Sequence, residues 1–193
     1  MDVTSDPPFN RFTQPPFRVP KLAGLGQITE HVFLSNSKAA NNGALITALN
    51  ITCIINATKK ATETPVPAVD YVWVPVADCP DAPLSAHFEV VAERIRAETA
   101  RSGRTLVYCN AGVSRSAALC LAYLVRYGGM TLAEAHRWVK ARRPIVRPNP
   151  GFWKQLIKYE HEVHGRSTVE IIQSAVGEIP DVYEQETKDL IPC

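Results

Sequence analysis

The chain has no C-x-x-C pair, no apolar run approaching a membrane span, and no basic region leading into an apolar one near its N-terminus. Its five cysteines, Cys53, Cys79, Cys109, Cys120 and Cys193, are odd in number and widely spread, which argues against a disulfide framework and against a zinc site. The missing basic-then-apolar leader argues against a signal peptide, and the missing span against a membrane helix. Position 2 is Asp2 rather than Gly, and the last four residues begin with Leu190, so neither myristoylation nor prenylation is indicated. A surplus of one charge is also missing. With 21 Lys and Arg against 19 Asp and Glu, the net charge is +2, which gives no reason to expect nucleic acid or membrane as a partner. These absences leave a reducing compartment as the expectation: the cytoplasm, with nuclear entry open.

What is present suits one domain, since 193 residues that are 46% hydrophobic can bury one sizeable core and are too few for two comfortable ones. Residues 1–23 carry Pro7, Pro8, Pro15, Pro16 and Pro20 with little periodicity, the pattern of an extended arm, disordered or laid on the surface. After it, "QITEHVFLSN" alternates around Ile28, Val32 and Leu34 as a strand does. "AANNGALITALN" has helical spacing and "ITCIINAT" is a short β-branched run. "VDYVWVPVAD" reads as another strand, and "LSAHFEVVAERIRAETARSG" as a helix that Gly103 can close. "TLVYC" is the most apolar strand. Three helices follow, at about Arg115–Tyr127, Thr131–Ala141 and Pro150–His164, and the tail 166–193 shows no clear period. Strands that alternate with helices before helices accumulate predict an α/β fold with a central mixed sheet covered on both sides.

Between "TLVYC" and its helix lies "CNAGVSRS", Cys109 to Ser116. A turn from a strand end into a helix N-terminus aims backbone N–H groups into one concavity, where the helix dipole adds partial positive charge. Asn110, Ala111, Gly112, Val113 and Ser114 would form the wall of this anion cradle. Gly112 allows a backbone angle or close approach denied to other residues, and Arg115 can present a bidentate fork to two phosphoryl oxygens. In that field the Cys109 thiolate is favoured, and a thiolate is a nucleophile. Poor leaving groups also need an acid. Asp78, after the strand "YVWVPVA", is preferred to Asp81, which is expected to cap the following helical segment. Arg142, Arg143 and Arg147 are read first as a solvated face and second as a lure for acidic substrates. Cys79 and Cys53 are candidates to trap an oxidised Cys109 as a disulfide.

The spacing C-x-x-G-x-x-R-S resembles the signature loop of the cysteine-dependent protein tyrosine phosphatase superfamily. With its acid upstream of the Cys, the chain resembles the dual-specificity phosphatases, above all the small atypical members that consist of a catalytic domain alone. The likeness runs from about Gly24 to the C-terminus through "GLGQITEHVFLSN", "ITCIINAT", "VPVAD", "AGVSRSAALCLAYL", "VKARRPIVRPNPGFWKQLIKYE" and "IPDVYE". It implies a catalytic domain over 24–165, with 166–193 as an extension packed on it or on a partner. It also implies a central, mostly parallel five-stranded sheet flanked by helices, with the phosphate loop between a strand and a helix. No metal or other cofactor is implied. The substrates implied are proteins carrying phosphotyrosine, phosphoserine or phosphothreonine, with kinases of signalling cascades as candidate partners. In the implied two-step reaction Cys109 takes the phosphoryl group, Asp78 protonates the leaving oxygen and then activates water, and Arg115 binds the phosphoryl oxygens. Ser116 would bond the Cys109 sulfur, and Asn149 would brace the loop from behind. One departure stands out: most members carry His before the Cys, where this chain has Tyr108. A Tyr hydroxyl can support the loop backbone, but it cannot become cationic at neutral pH. Two other functions fit such a loop: a catalytically weak phosphoprotein-binding module, and a phosphatase for phosphoinositides or RNA ends. The oligomeric state is not assigned by the sequence.

Overall fold

Thr105–Cys109 is buried along its whole length and sits at the middle of a five-stranded sheet. The computed structural model describes residues 24–61 and 66–187; the Pro-rich arm, part of the loop before the fourth strand, and Cys193 lie outside them. The first half of the described chain runs β1 (Leu25–Gln27), β2 (Val32–Asn36), α1 (Ser37–Ala40), α2 (Gly43–Ala48), β3 (Cys53–Asn56) and β4 (Asp70–Trp73). A 3-10 turn (Leu84–His87), α3 (Phe88–Ala100) and β5 (Thr105–Cys109) follow, and then α4 (Arg115–Tyr127), α5 (Leu132–Arg142) and α6 (Pro150–His164). The tail forms β6 (Ile171–Ser174), β7 (Gly177–Pro180), a second 3-10 turn (Asp181–Tyr183) and α7 (Glu184–Thr187).

The strand order is β1-β2-β5-β3-β4. Only the β1–β2 pair is antiparallel; β2, β5, β3 and β4 run parallel. This is the mostly parallel five-stranded sheet that the resemblance implies. Period-two alternation splits β5 between two cores. Val107 and Cys109 face the large one, with α3, α4 and α6, whereas Leu106 and Tyr108 face a smaller one with Phe33, Ile46, Ile51 and Ile54. α4 is buried at every position from Arg115 to Val125, as expected of a helix apolar on all sides.

Local chemistry sets the two helices that frame the site. Thr131 and Glu134 make a reciprocal capping box at the start of α5. The fully buried Glu160 carboxylate accepts the Leu132 N–H at 2.7 Å and the Thr168 N–H and hydroxyl at 2.7 Å each. An anion at that helix N-terminus is favoured by the dipole. α6 opens with the Asn149 side chain accepting the Phe152 N–H at 3.0 Å, places Pro150 at its first position, and ends at Gly165 with φ +71°.

Several sequence expectations change in the structure. "QITEHVFLSN" is not one strand but part of a hairpin, because the chain turns at 28–31. The single helix expected at 39–50 is two short ones, each capped by an Asn side chain, Asn36 and Asn42. α3 ends at Ala100; Ser102 takes the left-handed φ of +60°, and the Gly103 N–H bonds Glu98 O at 2.8 Å. The tail joins the main core through Val169, Ile179 and Tyr183. Among the described residues no helix is long and apolar enough to cross a membrane.

Candidate active site

The loop Cys109–Ser114 leaves the carboxyl end of the central strand, where parallel sheets place their ligands. Four successive carbonyls of the loop are engaged on its outside. Asn110 O accepts the Ser37 N–H at 3.2 Å and its hydroxyl at 3.3 Å. Arg143 spans the next two: Nη2 donates to Ala111 O at 2.9 Å and Nε to Gly112 O at 2.7 Å. Val113 O accepts the Arg147 N–H at 2.9 Å. With four successive carbonyls turned outward, the intervening amides face the concavity, which is the arrangement an anion requires. Gly112 is needed twice over. Its φ is +65°, and a Cβ there would lie 2.4 Å from Ser35 O and 2.8 Å from Arg143 Nη2.

At the floor sits Cys109, buried, with the Ser116 hydroxyl donating to its sulfur at 3.1 Å. Burial pushes the thiol pKa up, but the Ser116 hydroxyl, the Ser116 and Val113 amides and the Arg115 charge outweigh it, and the net shift is downward. The contrast is Cys120 in the middle of α4, where burial without donors drives the thiol far up. Arg115 is 5% exposed; Nη1 donates to Val76 O at 3.1 Å, and Nε is a buried donor with no hydrogen bond. An unmet buried donor beside an open cleft is a place for a ligand oxygen.

Asp78 reaches the same mouth. Its Oδ1 accepts the Ser114 hydroxyl at 2.7 Å and Asn149 Nδ2 at 3.0 Å, and its Oδ2 lies 3.5 Å from Arg115 Nε. Because its hydroxyl goes to Asp78, Ser114 caps none of the α4 amides. Thr58, Lys59, Lys60, Ala77, Asp78, Asn110 and Arg115 line the resulting cleft of about 520 Å³.

The three arginines near α5 do not form a solvated face. Arg143 is 5% exposed and braces the loop from behind, while Arg142 lies 3.3 Å over the Trp138 ring. Only Arg147 is surface-exposed, paired with Glu186 at 2.7 Å. Asn149 holds the loop as well, its N–H donating to the Ser114 hydroxyl at 3.1 Å, and its Nδ2 ties Asp78 to the start of α6. No side chain caps the 3-10 turn at Leu84, so the role expected of Asp81 is not made. Cys53 pairs in register with Thr105, four residues before Cys109. At roughly 3.3 Å per residue that is about 13 Å, beyond the roughly 7 Å between Cα atoms that a disulfide tolerates. Cys79 is exposed beside Asp78.

The pattern of a dual specificity phosphatase catalytic domain matches residues 32–162. The chain belongs to the dual-specificity phosphatase family. Dual specificity protein phosphatase 18 of Mus musculus is 50% identical to it over 173 residues, covering 90% of this chain and 92% of that one. Dual specificity protein phosphatase 14 of Homo sapiens is 48% identical over 171 residues, 89% and 86% of the two chains. Among solved structures, human DUSP28 has a TM-score of 0.71 at 37% identity, covering 75% of this chain and 98% of its own. A mouse putative dual specificity phosphatase complexed with zinc tungstate reaches 0.72 at 35% identity, covering 77% and 94%. The protein is thus a dual-specificity protein phosphatase, acting on phosphorylated proteins.

Within this phosphatase Tyr108 points away from the thiol, into the smaller core, with its hydroxyl 3.4 Å from that of Tyr71, which also contacts Asn56 Nδ2. An imidazole at this position can carry positive charge behind the loop. Tyr108→His is expected to lower the thiol pKa and raise turnover of phosphotyrosine peptide several-fold at slightly acid pH. The check is a pH profile of iodoacetate inactivation with steady-state kinetics on both proteins; coincident profiles would show that Tyr108 replaces His fully.

Proposed function

We propose that this phosphatase works through a phosphocysteine at Cys109. The Cys109 thiolate attacks phosphorus as the P–O bond breaks, and Asp78 gives its proton to the departing Ser, Thr or Tyr oxygen. Asp78 then takes a proton from water, which attacks phosphorus as the S–P bond breaks, releasing phosphate and the thiolate. Arg115 Nε and the loop amides hold the equatorial oxygens, most strongly as charge builds in the transition state. Ser116 stabilises the departing sulfur. The observation that carries this reading is the convergence on one cleft of a sulfur held by three donors, an Arg115 Nε with no hydrogen bond and the Asp78 carboxylate 3.5 Å from that Nε. A relative solved as a complex with zinc tungstate, whose tungstate is an oxyanion, is consistent with oxyanion binding in this family. A reducing compartment, cytoplasm or nucleus, keeps such a thiolate usable.

The rim of the cleft supports a preference among phosphoproteins. Lys59 and Lys60 are exposed on its rim and form no ion pair among the described residues. The turn carrying them is fixed, because Lys60 O accepts Asn56 Nδ2 at 2.8 Å and the Thr58 hydroxyl at 3.0 Å. With the arginines near α5 buried, stacked or paired, these lysines are the groups that attract acidic residues beside the phosphoresidue, as in kinases of signalling cascades. Replacing both by Ala is expected to lower kcat/KM on an acid-flanked phosphopeptide by about five- to tenfold, chiefly at low salt, and on a neutral-flanked one by less than about twofold. Equal losses on the two peptides would remove the lysines from substrate selection.

A further inference from the structure

The acid loop 78–85 crosses the first two turns of α6 and is gripped there at three points. Asn149 Nδ2 donates to Asp78 Oδ1 at 3.0 Å. Two residues on, Gly151 has no side chain where the loop passes: a Cβ there would fall 1.9 Å from Pro80 O and 2.4 Å from its Cα and carbonyl carbon. One turn further, both ends of the half-buried Gln155 carboxamide are used, with Nε2 donating to Ala82 O at 2.9 Å and Oε1 accepting the Ser85 N–H at 2.7 Å. The base of this grip is rigid, because Phe152, Trp153 and Leu156 on the same turns are fully buried in the main core. The loop is tied internally as well: Ala82 N–H bonds Cys79 O at 3.1 Å, Leu84 N–H bonds Ala82 O at 2.9 Å, and Ala82 and Leu84 are buried.

We infer that the start of α6 is a clamp that holds Asp78 at the cleft before substrate arrives, and that Gln155 and Gly151 are positioning residues for the acid. The inference rests on Asp78 being the acid proposed above. Distance decides what an acid can do. An acid contributes only when its proton lies within hydrogen-bond reach of the leaving oxygen, and a shift of the order of an ångström costs much of that contribution. The Gln155 side chain hydrogen-bonds Ala82 and Ser85 and neither Cys109 nor Arg115, so loosening it should harm protonation and leave thiolate attack intact.

The test is Gln155→Ala, assayed on a phosphoserine peptide and on p-nitrophenyl phosphate, whose leaving group needs little proton assistance. Turnover of the phosphoserine peptide should fall about tenfold, and that of the aryl phosphate by no more than about twofold. The rate of Cys109 alkylation by iodoacetate should not change. Gln155→Glu, which keeps the acceptor for the Ser85 N–H, should fall between parent and Gln155→Ala. Gly151→Ala should show the same selectivity more strongly, provided it remains folded by circular dichroism. In an Asp78→Asn background Gln155→Ala should cost nothing further, because the acid it positions is gone. A further loss in that background, equal losses on the two substrates, or no loss at all would overturn the clamp while leaving the acid role of Asp78 standing. If Asp78→Asn itself shows no leaving-group selectivity, both readings fall.

Discussion

Cys109→Ser is expected to reduce turnover of every phosphosubstrate by more than about 1,000-fold while phosphopeptide and tungstate still bind. The reason lies in the division of labour in the loop. Four outward carbonyls are held by Ser37, Arg143 and Arg147, so the inward amides and Arg115 survive the exchange. The nucleophile does not, because a Ser hydroxyl stays protonated in a field that shifts the Cys109 thiol downward. Steady-state kinetics with binding calorimetry would check this. Turnover near that of the parent would remove Cys109 from the reaction. Loss of binding together with turnover would mean that the sulfur helps shape the cradle.

Asp78→Asn should separate substrates by their leaving groups. Phosphoserine and phosphothreonine peptides depart as alkoxides unless protonated, and their turnover should fall by about 100- to 1,000-fold, the range general acids supply. Aryl phosphates with good leaving groups, such as p-nitrophenyl phosphate, should lose less than about tenfold, since a nitrophenolate leaves with little proton assistance. The amide oxygen of the variant can still accept from Ser114 and Asn149, which bond Asp78 Oδ1 in the parent, so the loop should hold its place. A parallel loss on both substrate types would indicate a structural role for Asp78 and reopen the search for the acid.

Much of this site was legible in the sequence because it is local. Cys109, Gly112, Arg115 and Ser116 lie within eight residues between a strand and a helix, and their spacing alone constrains the geometry. The long helices were legible for similar reasons: Asn149-Pro150 and Thr131 with Glu134 are capping chemistry that acts over one turn. What escaped depends on contacts between distant segments. In the sequence Arg143 is one of a run of basic residues; its burial against Ala111 and Gly112 appears only when α5 is anchored, partly by Glu160 from α6. Gly151 reads as a helix-start residue until the acid loop is seen to press on it. The hairpin at 25–36 was hidden because Ile28, Val32 and Leu34 keep the alternation of one strand across the turn. Tyr108 was legible as a departure, but its direction, toward Tyr71 and the smaller core, was not.

In the proposed reaction a phosphoryl group is carried on the Cys109 sulfur. The most direct measurement is acid quenching within the first turnovers of a phosphotyrosine substrate, followed by peptide mapping by mass spectrometry under conditions that preserve phosphorus–sulfur bonds. A phosphoryl adduct is expected on the peptide containing Cys109, absent from Cys109→Ser and longer-lived in Asp78→Asn, where water activation is lost. Product formation with no adduct on that peptide, or with the adduct on another residue, would contradict it.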